Sequence, residues 1–353
     1  MSSLQALQRK IRTVACPYHE MLCSLHVLHQ PEHHPRRLHW AGLMLSTMPL
    51  SLIEGIHTIG RLSDSWLGLT LTLKQGTFAS SQEGILQLKL LPDAELICLL
   101  LAGKFTLGTI LAWLQQPELA ANSGTREWNG PGKAPDEAAR YLLRHLESVR
   151  TQLFTTLEQY EQNYFRKEWE YIQPWMSTAA TGFQDTVSRS AEKALNLLHP
   201  RLHAAEGTIT AQKAHTYYFR HDQLQLIYVL PSTFIFPHLL MDWTTDSLML
   251  PLAVDIPGQP VSEDPPEDLL RSFKALGDAT RLRMLKLLYQ SPHCTKQLAP
   301  VLGISEAAVS KQLKLLSAAG LVQAERKGNY LFYSTDKEAF DSLIILQRQY
   351  FDQ

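Results

Sequence analysis

The stretch TKQLAPVLGISEAAVSKQLKLLSAAGLVQAERKGNYLFYS, Thr295 to Ser334, holds the densest local signals in the chain. Thr295 is a capping residue type, and a short helix, Lys296 to Leu302, is predicted after it. Gly303 breaks that helix and supplies a tight turn. Ser305 is placed to cap a second helix, Glu306 to Ala319, which stops at Gly320. Leu298, Val309, Leu313 and Leu316 are the expected core positions of the pair. Beyond it, Leu321 to Arg326 and Tyr330 to Ser334 alternate as two strands around Lys327-Gly328-Asn329, where Gly328 and Asn329 tolerate a positive φ.

Upstream, Asp278 can cap a helix from Ala279 to Tyr289 whose apolar face is expected at Leu282, Leu285 and Leu288. A helix, a short turn, a second helix and a hairpin make a winged helix-turn-helix domain. In such a domain the start of the second helix meets base edges in the major groove. The residues so placed are Ser305, Glu306, Ala307, Ala308, Ser310, Lys311, Gln312 and Lys314. Gln312 can bind adenine bidentately, and Glu306 can accept from cytosine. Ser305, Ser310, Lys311 and Lys314 suit phosphate contacts, which position without specifying sequence. Arg326, Lys327 and Asn329 at the wing tip can reach the minor groove or the backbone. The alternative is a winged helix used for protein contacts, its lysines a solvated face. The last helix, Lys337 to Phe351, carries an apolar stripe broader than one surface helix needs. Phe340, Leu343, Ile344 and Tyr350 are the expected homodimer contacts, with packing on the domain's own first helix as the alternative.

Charge supports this division of labour. The whole chain, 353 residues, has a net charge of −1, which as an average argues against nucleic acid. From Asp268 onward, however, there are 12 basic and 8 acidic residues, against 21 and 26 before it. A basic module is joined to a larger acidic body, so any nucleic acid is confined to the last quarter.

Working outward, Asp255 to Asp268 (DIPGQPVSEDPPED) has four prolines and reads as a linker. The expected division is 1–254 as an N-terminal helical domain with a small β segment, 255–268 as linker and 269–353 as the winged helix; the fold class is mostly α with minor β. In the N-terminal part, apolar spacing predicts a long helix over Asp136 to Trp175 that ends or kinks at Pro174, and another over Phe183 to Leu198. Shorter helices fit Glu20 to His29, Ala94 to Leu101 and Leu107 to Leu114, and alternation from His215 to Val254 predicts several short strands. Asn122 to Pro135 reads as a loop. Four cysteines, no apolar leader and no apolar run beyond Leu96 to Ala102 suggest a cytoplasmic chain with no membrane partner. No nucleotide loop, nucleophile elbow or metalloprotease motif is present, so neither an enzyme nor a cofactor is expected.

ALGDATRLRMLKLL, the Ser-x-x-x-Val-Ser-x-x-Leu helix, the Ala-Gly-Leu-Val junction and the wing together resemble the winged helix of the ArsR/SmtB regulators over about 85 residues. The resemblance implies a homodimeric repressor that leaves double-stranded operator DNA when an effector binds. It also shows departures. Where metal-sensing members carry Cys-x-Cys, this chain has Cys294-Thr295-Lys296. The last helix offers Asp336, Glu338 and Asp341 but no histidine, so neither familiar winged-helix metal site is complete.

CPYHEMLCSLHVL, His34-Pro35, Trp40, NYFRKEWEYIQPWM and YVLPSTFIFPH are similar to a large helical domain of unknown role that precedes some of these winged helices. That domain is expected to bind a small organic effector or to add dimer contacts. Tyr164, Phe165, Trp169, Tyr171 and Trp175 could line an apolar pocket there, although helix packing is the commoner use of such residues. Cys16, His19, Cys23 and His26 recur at helical spacing as a candidate metal set, the basis of a rival metal- or redox-responsive regulator. Pro17 in the first turn favours reading them as ordinary helix-surface residues.

Overall fold

The computed structural model describes residues 3–353 except 71–75, 117–134, 214–215, 258–266, 328–329, 338, 341–342, 344–346, 348–349 and 351–353. The described residues fall into two units, one ending at Val261 and the other beginning at Ser262. The loop expected at Asn122 to Pro135 and most of the linker lie outside them.

In the first unit, α1 (Ser3–Lys10) and β1 (Ile11–Thr13) lead into α2 (Pro17–His29), which starts with proline at its first position. Every residue of α2 from Pro17 to Leu28 is buried. A helix buried on all sides shows no amphipathic stripe. This corrects the surface reading of Cys16, His19, Cys23 and His26, all of which are buried. Around α2 stand α3 (Leu38–Thr47), α4 (Leu50–Leu62), α5 (Ser81–Leu90), α6 (Asp93–Leu100) and α7 (Leu107–Gln115), followed by α8 (Pro135–Tyr160). The backbones of α2 and α5 approach closely at Gly84, where an added Cβ would lie 2.3 Å from the Tyr18 ring.

The long helix differs from expectation. After α8 a single π turn, Glu161–Phe165, passes into α9 (Arg166–Arg189). Pro174 lies inside α9 and does not end it. Its missing N–H leaves the Glu170 carbonyl without a helical partner, and Glu170 is exposed, so solvent can take that bond. The expected helix Phe183 to Leu198 is instead the end of α9 followed by α10 (Ala191–Asn196), with the Ser190 hydroxyl accepting from the Lys193 N–H.

Two sheets complete the unit. β5 (Leu226–Ser232) pairs in parallel with β1 and with β7 (Ser247–Ala253), and β6 (Asp242–Trp243) lies antiparallel on β7. Ile11 registers with Ile227 and Leu226 with Ser247. β2 (Leu202–Ala205), β3 (Thr208–Gln212) and β4 (Thr216–Arg220) form an antiparallel meander. A second core of Leu7, Ile11, Val187, Leu195, Ile209 and Val229 joins both sheets to α1, α9 and α10.

A buried polar network ties the helices to the exit of β5. The Glu20 carboxylate on α2 accepts from the Thr233 N–H at 2.8 Å and from its hydroxyl at 2.7 Å. The Arg37 guanidinium donates to the Thr233 carbonyl at 3.2 Å and its hydroxyl oxygen, and lies 3.3 Å from the Glu168 carboxylate on α9. It also sits 4.0 Å from the centre of the Phe234 ring. Nearby, Ser24 and Tyr160 share a hydrogen bond of 2.8 Å.

The second unit contains the three expected helices and the hairpin and adds two elements, α11 and β8: its order is α11 (Glu267–Leu276), α12 (Ala279–Gln290), β8 (His293–Cys294), α13 (Thr295–Leu302), α14 (Glu306–Ala318), β9 (Val322–Lys327) and β10 (Tyr330–Thr335). Its sheet runs β8-β10-β9. Asp278 accepts from the Arg281 N–H at 2.9 Å, and Gly303 and Gly320 take φ of 70° and 69°. Two details are corrected. Cys294 is the residue before α13 and Thr295 its first helical residue, with Gln297 reaching back to the Cys294 N–H at 3.0 Å. Leu282 is exposed, and Met284 with Leu285 and Leu288 faces the core.

Replacing Gly84 with alanine drives a methyl into the Tyr18 ring and should cost the first unit about 1–3 kcal/mol. The check is a thermal melt in which the first unit's transition falls while an isolated winged-helix fragment's is the reference. Burial also holds His19 and His199 at about 4, below their ordinary 6.5. The unfolded chain therefore takes up protons first. Stability is full above about pH 6.5 and is lost as pH falls towards about 4. The drop in urea midpoint between about pH 7.5 and about pH 5.5 should be smaller in His199→Gln than in the native protein; equal drops would refute the neutral, buried state.

Candidate functional site

The start of α14 is the candidate nucleic-acid interface. The Ser305 hydroxyl oxygen accepts from the Ala308 N–H at 3.2 Å, fixing the first turn. Val309, Leu313 and Leu316 are buried, as is Leu298 on α13. Anchoring that stripe turns the opposite face outward: Ser305, Glu306, Ala307, Lys311 and Lys314 are exposed, and Ala308, Ser310 and Gln312 are half-buried. The exposed members of the sequence-derived set lie away from the buried stripe, and Ser310 and Gln312 border it on either side.

Gln312 is not a free side chain. Its amide oxygen accepts from Arg281 Nη1 at 3.0 Å. Arg281 also donates to the carbonyls of Ala275 and Lys274 at the end of α11, and it lies 4.0 Å from the Asp278 carboxylate. This guanidinium joins α11, α12 and α14, and holds Gln312 with its amide nitrogen as the group left to donate. The available signal in the sequence was the place of Arg281 in GDATR, three residues after the capping aspartate.

At the wing, Arg326 is exposed, Lys327 pairs with Tyr330, and Asn329 lies outside the described residues. In the last segment Leu343 is buried, Phe340 and Tyr350 are half-buried, and Ile344 lies outside the described residues. Phe340 packs on the domain's own core, its ring 6.4 Å from that of Tyr289. Cys294 is buried and registers with Phe332.

The N-terminal candidates separate. Cys23 Sγ lies 3.7 Å from His19 Nε2, and these two group with Glu20. His26 faces elsewhere, towards His34 and His238, while Cys16 lies 3.9 Å from the Phe78 carbonyl. Burial pushes both the Cys16 and Cys23 thiols up. The aromatic set does not converge either. Phe165 is in the core, Tyr164 and Trp169 pack against it, and Tyr171 and Trp175 are exposed. A separate cleft of about 730 Å³ is lined by Lys10, Glu192, Arg220 and Asp222 among others, a charged rather than aromatic wall. No helix among the described residues is long and apolar enough to cross a membrane.

Comparison with known proteins assigns both units. Residues 3–250 match a family of unknown function (DUF5937), and residues 278–324 match the family described as bacterial regulatory protein, arsR family. A Synechocystis protein named transcriptional repressor SmtB homolog is 36% identical over 74 residues, 21% of this chain and 56% of its own length. The Bacillus subtilis protein YbzH, an uncharacterized HTH-type transcriptional regulator, is 34% identical over 86 residues, 20% of this chain and 86% of its own. A homodimeric winged helix-turn-helix DNA-binding domain from Mycobacterium bovis is 27% identical with a TM-score of 0.22, covering 26% of this chain and 86% of that one. The chain thus spans about half the length of the Synechocystis relative, and these likenesses concern the second unit. The chain belongs to the family of unknown function DUF5937 through its first unit and carries an arsR-family winged helix-turn-helix domain as its second.

Proposed function

We propose that this chain is a transcriptional regulator that binds double-stranded operator DNA as a homodimer, represses from it, and is released by an effector bound in the N-terminal unit. The observation that carries the reading is the exposed side of α14, where Ser305, Glu306 and Ala307 at its start are followed by exposed Lys311 and Lys314, with Gln312 half-buried. Two phosphate-seeking cations beside an amide held by Arg281 suit backbone positioning joined to base readout. The basic excess from Asp268 onward, 12 basic against 8 acidic residues, agrees with contact through the winged helix alone. In a dimer the two α14 helices would enter successive major grooves about 34 Å apart. An effector that favours a dimer of different spacing would then lower operator affinity by population shift.

Gel shifts on the DNA upstream of the chain's own gene test this. Lys311→Ala should weaken binding to all sequences and lower the salt slope by about 1. Gln312→Ala should lose about 1 kcal/mol of discrimination at one base pair, the worth of the single hydrogen bond its amide nitrogen can donate, with non-specific binding kept. No shift on any DNA would sink the reading, and a purely monomeric chain in sedimentation would remove the homodimer.

A further inference from the structure

Three histidines from separate parts of the chain meet in the first unit: His26 near the end of α2, His34 in the turn before α3, and His238 in the loop after β5. One nitrogen of each ring lies within 4.8 Å of the other two. Ring centres are 4.8 Å apart for His26 and His34, 5.5 Å for His26 and His238, and 4.9 Å for His34 and His238. Hydrogen bonds decide which nitrogens are left to face the centre. The Nδ1 of His26 donates to the Ser65 carbonyl at 2.9 Å, and the Nδ1 of His34 donates to the Phe236 carbonyl at 3.0 Å. A proton on Nδ1 leaves Nε2 as a bare lone pair. Those two Nε2 atoms, and the Nε2 of His238, are buried with no hydrogen-bond partner.

The bare lone pairs of His26 and His34 cannot satisfy each other, and a neutral His238 carries one ring proton and can serve at most one of them. No hydrogen bond joins its Nε2 to either. Protonating a ring would supply a donor, but burial opposes the charge and holds all three imidazoles below their ordinary value. A cation that takes three lone pairs at once leaves nothing over. We propose that His26, His34 and His238 form a three-histidine site for a divalent first-row transition-metal ion, zinc foremost, with a fourth position for water or a small anion. Neutral imidazoles favour zinc, copper or nickel over calcium and magnesium, which want oxygen ligands. Tetrahedral zinc bonds need nitrogens about 3.4 Å apart, so the rings close inwards by small rotations.

The surroundings are those of a built site. Carbonyl groups that accept from the far nitrogen of a ligand histidine fix its tautomer and raise its basicity. The Ser65 carbonyl is presented by three successive non-glycine residues with positive φ, Asp64 at 52°, Ser65 at 55° and Trp66 at 75°. Such a run is strained and persists only where its neighbours enforce it. Here the Ser65 N–H donates to the Gly60 carbonyl at 2.8 Å, and the buried Trp66 indole donates to the Ile56 carbonyl at 3.0 Å. The other close set, His19, Glu20 and Cys23, is already engaged. Glu20 accepts two bonds from Thr233, and Cys23 and His19 face each other. The site concerns the first unit alone and stands whether or not the second binds DNA.

The test uses the full chain, stripped with a chelator, then titrated with zinc by calorimetry and with cobalt by visible absorption. One tight equivalent per chain is expected, with the cobalt bands of a four-coordinate nitrogen site and a higher melting temperature once zinc is bound. His34→Gln and His238→Gln should each weaken that equivalent by at least about tenfold, while Cys23→Ser should leave it unchanged. His238 is only half-buried, so His238→Gln decides the matter should His34→Gln fail to fold. No tight equivalent, or unchanged zinc affinity in a folded His238→Gln protein, overturns the proposal.

Discussion

A charge cannot stay in a protein interior without partners, and Arg37 meets that constraint by extending the bonds between α2 and the exit of β5 to α9. Its guanidinium reaches Thr233 at the exit of β5 and Glu168 on α9, while Thr233 in turn serves Glu20 on α2. Burial pushes the Glu20 carboxyl up, opposed by hydrogen bonds from Ser232 and Thr233 and by the charge of Arg37. Removing one member leaves the others uncompensated, a loss of about 3–5 kcal/mol for such pairs. Apolar packing alone would let α2 slide or rotate; the directional bonds fix its register against β5. The three histidines hang from that same frame, since His26 is on α2 and His238 follows Thr233 by five residues.

The winged helix was legible because its signals are local. Asp278 and Ser305 cap, Gly303 and Gly320 turn, and Val309, Leu313 and Leu316 repeat at helical spacing, so each element announces its own ends. The first unit hides its logic in distant pairings. α2 is apolar or buried on every side, so periodicity said nothing about which face its cysteines and histidines occupy. β1 is three residues long and becomes a strand only because β5 lies beside it. Pro174 reads as a helix end because a local rule does not show that residue 170, one turn earlier, is exposed and that the helix continues. The outward face of α14 followed from its buried stripe, whereas the bond from Arg281 to Gln312 spans 31 residues and has no sequence period to betray it.

The two units also differ in how they carry charge. In the first, the buried Arg37 and Glu20 and the half-buried Glu168 point inwards and act as fasteners. On α14, Lys311 and Lys314 point outwards, where long-range attraction to a polyanion is available and desolvation is small. Net charge hides this, because a cation used as a rivet and a cation used as a handle count the same.

The π turn at Glu161–Phe165 has a consequence for the frame as a whole. Such a turn holds one residue more than regular helix would, so it shifts the phase of everything after it by about 100°. Before it, Leu153, Leu157 and Tyr160 face inwards; after it, Ile172, Met176 and Phe183 do, with Glu168 aimed at Arg37. A single-residue deletion within these five positions would give a smoother helix and a worse protein, since Glu168 and every later core residue would be carried off their targets. The irregularity works as a gear tooth that keeps two stretches of one helix in step with a shared interior.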